Sequence, residues 1–355
     1  MGIEFRREKM TTEFLDPQKN FEPRTSTLEL RFDPLTGATS NIFELGYRYA
    51  PEKPDPTPLV QKSLELGCPF CPDRLDKLAP RFLPQFWPQG RIGEGDAVVF
   101  PNRDLYHTPY IAILALGKEH FIPMTAFGEG LLLQGFLATQ TYFHRLKESD
   151  PRARFQSINW NYFPPAGGSI IHSHLQLLAS PFPTNHQQRL LEGSRRYYRK
   201  NRSNFWADLI AQERELGERY VAATGGVHWL TPFAPRGRLW ELMAIFTGGG
   251  AFADLSREAW QDFSRGLVRV MKALDSQNYI SFNLSVISAV PGSQFWTVAY
   301  LRPRVVTPPM GMSDASYLDL LLEHPSTAFS PEATCQALRP FFQETRFQET
   351  PFQEK

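Results

Sequence analysis

The chain has 355 residues, of which 42% are hydrophobic, and it carries 38 basic against 37 acidic side chains. That is enough apolar material for one large core or two moderate ones, and so even a charge gives no overall field to recruit nucleic acid or an anionic membrane. Its three cysteines, Cys68, Cys71 and Cys335, are too few for a secreted disulfide framework. Without a cationic leader or a run of about 18 apolar residues, export and membrane spanning lack support, and a cytoplasmic setting is expected.

In chain order, residues 1–25 are charged and without hydrophobic periodicity, which predicts a loose N-terminal segment. Pro and Gly punctuate residues 31–95, as in RFDPLTG and APEKPDPTP, so turns and short strands are expected there. From Ala97 the pattern turns regular. Strand-like AVVFPN and YIAILAL precede an amphipathic stretch from about Thr125 to Lys147, followed by strands around INWNYF and SIIHSHLQLLAS. A basic, helix-compatible segment then connects (186–224), and its composition predicts a solvated bridge.

The order β, β, α, β, β then returns over residues 225–310, in VHWLTPF, LWELMAIF, a helix from about Leu255 to Ser276, YISFNLSVI and SQFWTVAYLRP. Each copy has an Asn in its penultimate strand, Asn161 and Asn283, and a Gly-Ser before its last, Gly168-Ser169 and Gly292-Ser293. Order and markers together predict a duplicated α+β unit, an antiparallel half-barrel or open sheet with flanking helices, spanning 26–185 and 225–310. The C-terminal segment (311–355) ends in FFQET, RFQET and PFQEK, an imperfect repeat expected to be a loose tail.

Chemistry concentrates in His172-Ser173-His174-Leu175-Gln176. Residues two apart project from one face of a strand, so two imidazoles and an amide should share a surface while Ile171, Leu175 and Leu177 face a core. In the second copy the equivalent positions are Trp296, Val298 and Tyr300, so the unit folds without these histidines. A neutral imidazole is a suitable nucleophile toward phosphorus because the phosphoramidate that it forms stays reactive. The adjoining PPAGGS turn offers the backbone N–H groups of Gly167 and Gly168 and the Ser169 hydroxyl to phosphoryl oxygens. Cys68-Pro-Phe-Cys71 is half of a zinc site by spacing, with no thioredoxin-like pattern around it to suggest a redox pair. His172 is a third ligand if it turns toward the cysteines, and His120 or His107 is the fourth. Spacing does not separate those two, and three protein ligands with a catalytic water is the competing arrangement.

These residues resemble the galactose-1-phosphate uridylyltransferases of the histidine-triad superfamily and the related ADP-glucose phosphorylases. The resemblance runs from about Arg31 to Arg304. In HSHLQ the family has His-Pro-His-x-Gln, so Ser173 replaces a Pro; superfamily hydrolases generally place a third His where this chain has Gln176, and transferases use Gln. The resemblance implies two histidine-triad-like repeats, with His174 as nucleophile, Gln176 on the transferred phosphoryl group, and Ser169 and Asn161 at the phosphates. It implies Asn102, in Phe100-Pro101-Asn102, as a nucleoside contact, and zinc held by Cys68, Cys71, His120 and His172. A second metal site that some members build from histidines in the last strand has no counterpart in WTVAYLRP. The segment VTPPMGMSDASYLDL does not match the family's hexose-phosphate contacts.

The function so implied is ping-pong transfer of UMP between a UDP-hexose and a hexose 1-phosphate. Alternatives are an ADP-glucose or dinucleoside polyphosphate phosphorylase or adenylyltransferase, and a non-catalytic zinc-containing nucleotide-binding protein. Expected partners are nucleotide sugars and sugar phosphates, with no nucleic acid and no membrane; a homodimer sharing active sites is implied by the resemblance alone.

Overall fold

The computed structural model describes residues 2–43, 52–105, 108–307 and 311–343. His107 and most of the FQE repeats lie outside the described residues. The N-terminal segment, expected to be loose, instead forms the hairpin β1 (Arg7–Asp16) and β2 (Glu22–Phe32), paired from Arg7↔Arg31 to Asp16↔Glu22. β3 (Thr39–Phe43) continues this sheet, and β16 (Ser326–Thr327) closes it in parallel. Two short helices follow β3, α1 (Thr57–Leu66) and α2 (Pro72–Leu78).

Next come β4 (Ile92–Glu94), β5 (Ala97–Pro101), β6 (Tyr110–Leu116), α3 (Glu129–Ser149), β7 (Phe155–Tyr162) and β8 (His174–Ser180). After the helices α4 (Asn185–Asn201) and α5 (Phe205–Leu216), the order repeats. It runs β9 (Tyr220–Thr224), β10 (Val227–Leu230), β11 (Leu242–Phe246), α6 (Arg257–Ser276), β12 (Phe282–Ile287) and β13 (Val298–Pro303). The chain then makes the ribbon β14 (Val306–Thr307) and β15 (Met312–Ser313), the turn-length α7 (Tyr317–Leu320) and α8 (Pro331–Gln343). Among the described residues no helix is long and apolar enough to cross a membrane.

β4 to β13 form one ten-stranded sheet in the order β4-β5-β6-β8-β7-β12-β13-β11-β10-β9. Read from either end, the sheet gives the same sequence of elements, and its centre is the antiparallel pairing of β7 with β12. The expected strands and long helices are present, with one further short strand, β4 or β9, at each outer edge.

One face of the sheet carries the main core. In β7, Ile158, Trp160 and Tyr162 point into it and alternate with half-buried Ser157, Asn159 and Asn161, the pattern of a strand with one dry and one polar face. α3 and α6 cover the dry face, and Phe136 of α3 stacks on Trp260 of α6 at 5.1 Å. On the other face two smaller clusters leave a gap between them. Ala79, Phe100, Ile113 and Ala115, with Phe70 packed against them, cover β5 and β6. Leu190, Leu191, Trp206, Leu209 and Ile210 of α4 and α5 cover β10 and β11. The segment 186–224 is therefore half embedded rather than a solvated bridge, because its leucines and tryptophan supply the apolar stripe that this face needs. The uncovered middle, over β8, β7, β12 and β13, is polar.

Candidate functional site

The CPFC segment turns directly into α2, with Cys71 at its N-cap and Pro72 in the first helical position, where a missing N–H costs nothing. This presents Cys68 and Cys71 to the end of β6 and to the segment that enters β8. His120 follows the turn at Gly117, and His172 lies just before β8 rather than within it. The expected strand alternation therefore begins at His174, and His172 is free to turn aside. One ligand atom from each of Cys68, Cys71, His120 and His172 lies within 4.8 Å of the others.

The donor chemistry of this cluster fits a tetrahedral divalent cation. Cys71 Sγ stands 3.3 Å from His120 Nδ1 and 3.7 Å from His172 Nδ1. Ligands around a zinc ion are separated by about 3.3–3.8 Å when the bonds are about 2.0–2.3 Å. Each ring's other nitrogen is engaged: His172 Nε2 with the Gly117 carbonyl at 3.1 Å and His120 Nε2 with Ser63 Oγ at 2.7 Å. Such contacts orient ligating imidazoles. Burial, and then neighbouring Cys68, push the Cys71 thiol up to about 12. Burial holds both ring pKa values down, His172 to about 4. A cation between the thiols would supply the charge that these groups lack and favour the thiolate.

His174 is the first residue of β8 and is 9% exposed. Its Nδ1 donates to the His172 carbonyl at 2.9 Å, which fixes the tautomer and leaves the Nε2 lone pair available. Burial lowers its pKa, so the ring is neutral near pH 7. Phe70 packs edge-on against the ring at 5.3 Å, so the cysteine segment also walls His174. Ser173, where the resemblance has Pro, buries its hydroxyl without a partner.

Gln176 is half-buried two residues further along β8, opposite Ile113 on one side and Asn159 on the other. A ladder of side chains continues from it across the sheet. Asn159 Nδ2 donates to the Gln176 carbonyl at 3.4 Å, and Ser285 Oγ donates to Asn159 Oδ1 at 2.7 Å. Asn283 Nδ2 reaches Asn161 Oδ1 at 2.8 Å and the Ala166 carbonyl at 2.9 Å, and Arg304 donates to Asn283 Oδ1 at 2.8 Å. The two marker asparagines of the repeat thus meet across the central seam. Asn159, Ser285 and Arg304 were not singled out in the sequence, because their alignment depends on pairing strands more than 100 residues apart.

The PPAGGS turn differs from expectation. The N–H groups of Ala166 and Gly168 donate to the Phe163 carbonyl, and that of Gly167 to the Pro164 carbonyl. The Gly167 and Gly168 amides therefore hold the turn together instead of facing a ligand. Gly168 is buried with no room for a side chain, Gly167 is exposed at φ 87°, and Ser169 is exposed. Asn102 is half-buried after β5, and its N–H donates to the Ile111 carbonyl at 3.0 Å. In RFDPLTG, Asp33 Oδ1 accepts from the N–H groups of Leu35 and Thr36, a closed turn at the edge of a cavity beside α4.

With this geometry in place, the likenesses to known proteins can be read. No profile of a known protein family matches the chain. An uncharacterized protein of Archaeoglobus fulgidus is 27% identical over 346 residues, 96% of this chain and 100% of that protein. Among solved structures, an ADP-glucose phosphorylase from Arabidopsis thaliana, with bound ADP-glucose, superposes with a TM-score of 0.69 at 15% identity, covering 90% of this chain and 100% of that one. A GalT-like protein from the same plant gives 0.68 at 15% over 88% and 98%, and a uridylyltransferase gives 0.64 at 17% over 90% and 99%. The chain therefore has the fold of these uridylyltransferase and phosphorylase structures. It is the fold that the resemblance in HSHLQ, CPFC and RFDPLTG implies.

Proposed function

We propose that the chain is a nucleotidyltransferase that carries a nucleoside monophosphate on His174, most specifically UMP passed from a UDP-hexose to a hexose 1-phosphate. The observation that carries this reading is the state of His174: neutral, tautomer-fixed by the His172 carbonyl at 2.9 Å, and beside a polar strip on an otherwise covered face. His174 Nε2 attacks the α-phosphorus, a P–N bond forms, and the P–O bond to the sugar phosphate breaks. The His172 carbonyl supports the positive charge that develops on the ring. In the second half-reaction a phosphate oxygen of the acceptor attacks, the P–N bond breaks and the imidazole returns neutral. Gln176 is assigned to the transferred phosphoryl group, with Ser169 and Asn161 at the donor's phosphates and Asn102 at the nucleoside. Gly167 and Gly168 shape the turn that carries Ser169.

Zinc bound by Cys68, Cys71, His120 and His172 would fill all four positions with protein ligands, a structural role that ties the CPFC segment to the approach of β8. The two halves are read as diverged histidine-triad-like repeats (26–185 and 225–310), joined by 186–224, and a homodimer is part of the proposal.

A second reading, phosphorolysis of ADP-glucose, is supported in the same way, because the fold is shared with an ADP-glucose phosphorylase and a uridylyltransferase alike. Single-turnover labelling separates the two. UDP-glucose labelled at the α-phosphate should label the protein faster than ADP-glucose, and a hexose 1-phosphate should discharge the label faster than inorganic phosphate. The reverse order in both steps would move the assignment to the phosphorylase.

A further inference from the structure

A cavity of about 490 Å³ lies over β12 and β13, in the second half of the sheet, with Asn159 and Asn161 at its near edge. Its size is that of a small-molecule site. Four arginines line it, Arg236, Arg238, Arg302 and Arg304, against two carboxylates, Asp314 and Asp319.

Two of the arginines are already engaged. Arg302 donates twice to Glu241 Oε1, at 3.0 and 2.8 Å, and Arg304 is forked on Asp314 at 2.7–3.0 Å. Asp319 is engaged too, since its Oδ2 caps α7 through the Ser316 N–H and hydroxyl. Arg236 and Arg238 are left with weak partners. Arg238 lies over the Phe43 ring at 5.0 Å and has no carboxylate within 4.0 Å among the described residues. Arg236 is 3.9 Å from Glu241, and its two terminal nitrogens stand 2.9 Å from the two ring nitrogens of His186. A neutral imidazole has one acceptor nitrogen, so His186 satisfies one of those two contacts at most. Burial and the charges of Arg236, Arg302 and Arg189 keep this ring neutral, pushing its pKa down to about 2.

The loop bearing these two cations is rigidly held. The Arg236 N–H donates to Glu241 Oε2 at 2.6 Å, Thr327 Oγ1 donates to the Gly237 carbonyl at 2.6 Å, and Ser40 donates to the Pro235 carbonyl. Gly237 packs so closely that a Cβ would lie 2.5 Å from the Trp240 carbonyl. An Arg-Gly-Arg segment fixed in this way holds two guanidinium groups at a cavity wall without fully satisfying either. The adjoining cavity of about 640 Å³ shares Arg236, Arg302, Tyr300 and His186, and adds three carboxylates, Asp33, Glu241 and Glu323, against one further cation, Arg189, which is paired with Glu323 at 3.1 Å.

We propose that the first cavity binds a phosphate dianion, free or as the monoester of a sugar, with Arg236 and Arg238 as the charged partners. Forked guanidinium contacts suit phosphate oxygens, and one dianion balances both cations. Tyr300 lines the same cavity at the position that Gln176 holds in the first half, so the half without the histidines retains a ligand site without a nucleophile. The proposal does not depend on transfer through His174.

Titration calorimetry on the full chain, in buffer free of phosphate, tests it with inorganic phosphate and with glucose 1-phosphate. The wild type and His174→Gly should bind alike. Arg236→Gln combined with Arg238→Gln should raise the Kd about tenfold or more, the scale of losing charge-assisted hydrogen bonds, and Arg236→Lys should lose less. Tighter binding of glucose 1-phosphate identifies the ester as ligand; equal binding identifies the phosphate group alone. Should the double variant fail to fold, Arg238→Gln alone must weaken binding. The proposal is overturned by unchanged affinity in a folded double variant, by no binding of either probe at millimolar concentration, or by loss of binding in His174→Gly. Binding that behaves as expected in a protein that takes no label from nucleotide sugars would remove the transfer reading and leave this site standing.

Discussion

Replacing Gly168 by alanine tests whether the PPAGGS turn positions the site by its shape. A Cβ built there lies 2.6 Å from the Asn161 carbonyl oxygen and 3.1 Å from that of Phe163. Ordinary contact begins near 3.4 Å, so the closer oxygen must retreat by about 0.8 Å, and it belongs to backbone rather than to a side-chain end. Asn161 is paired with Asn283 of β12, so its carbonyl has little freedom and the turn itself must shift. Overpacking of this kind costs about 1–3 kcal/mol, and a displacement near 1 Å at a reacting group costs about 100-fold in rate. Gly167→Ala is the control. There φ is +87°, but the nearest atom to a new Cβ is Asn161 Nδ2 at 3.8 Å, so backbone strain of about 1–2 kcal/mol is the whole penalty. Urea melts give the stability differences, and labelling of His174 from nucleotide sugar gives the rates. Gly168→Ala should label about 100-fold more slowly than wild type, and Gly167→Ala should stay within about tenfold of it. A Gly168→Ala protein with wild-type labelling would show that the turn's shape does not position the phosphates.

Three further outcomes are expected. Cys68→Ser should remove the bound zinc, about one ion per chain by elemental analysis of the wild type, and lower the melting temperature together with the activity; a wild type without zinc when prepared free of chelators would refute the assignment. His174→Gly should abolish labelling and transfer while zinc content and melting temperature stay close to wild type, because its counterpart Val298 occupies the same strand position; normal turnover in this variant would exclude histidine catalysis. Glu332 joins Arg31 and Arg219 at 2.8 Å each, and these partners hold its carboxyl near 2, below its usual 4.5, against the effect of burial. A depressed carboxylate stabilises above its unfolded pKa and loses that contribution as pH falls from about 4.5 toward 2, here at most about 3 kcal/mol. Glu332→Gln should flatten that part of the stability profile, and parallel acid profiles for variant and wild type would rule the mechanism out.

Hydrophobic alternation made the long helices and most sheet strands legible in the sequence, because each buries one face against the main core. The β1–β2 hairpin was silent for the opposite reason: β1 is exposed at every position but Asp16, so no apolar period marks it. In α4 and α5, arginines and tyrosines obscured a stripe of leucines and Trp206 that packs on the sheet. The cysteine spacing and the HxH pattern pointed to Cys68, Cys71, His120 and His172, whose four ligand groups come together. The spacing could not foretell that His172 stands outside β8 or that the glycine amides close upon their own turn. The ladder from Gln176 to Arg304 was out of reach because it follows from the register of β7 against β12, a long-range property.

The seam between β7 and β12 also constrains motion. From Phe282↔Tyr162 to Ile287↔Ser157 the halves share backbone hydrogen bonds and a dry face of aromatic rings, among them Tyr162 stacked on Phe282 at 5.0 Å. Parting them would bare two strand edges at once, so the halves cannot swing apart as hinged jaws. Any opening of the arginine cavity would then fall to its loops, among them the stretch whose Asp314, Ala315, Asp319 and Leu320 line it. Exchange of a ligand there would be governed by local loop energetics, and its rate would respond to substitutions in that stretch rather than to the strength of the sheet.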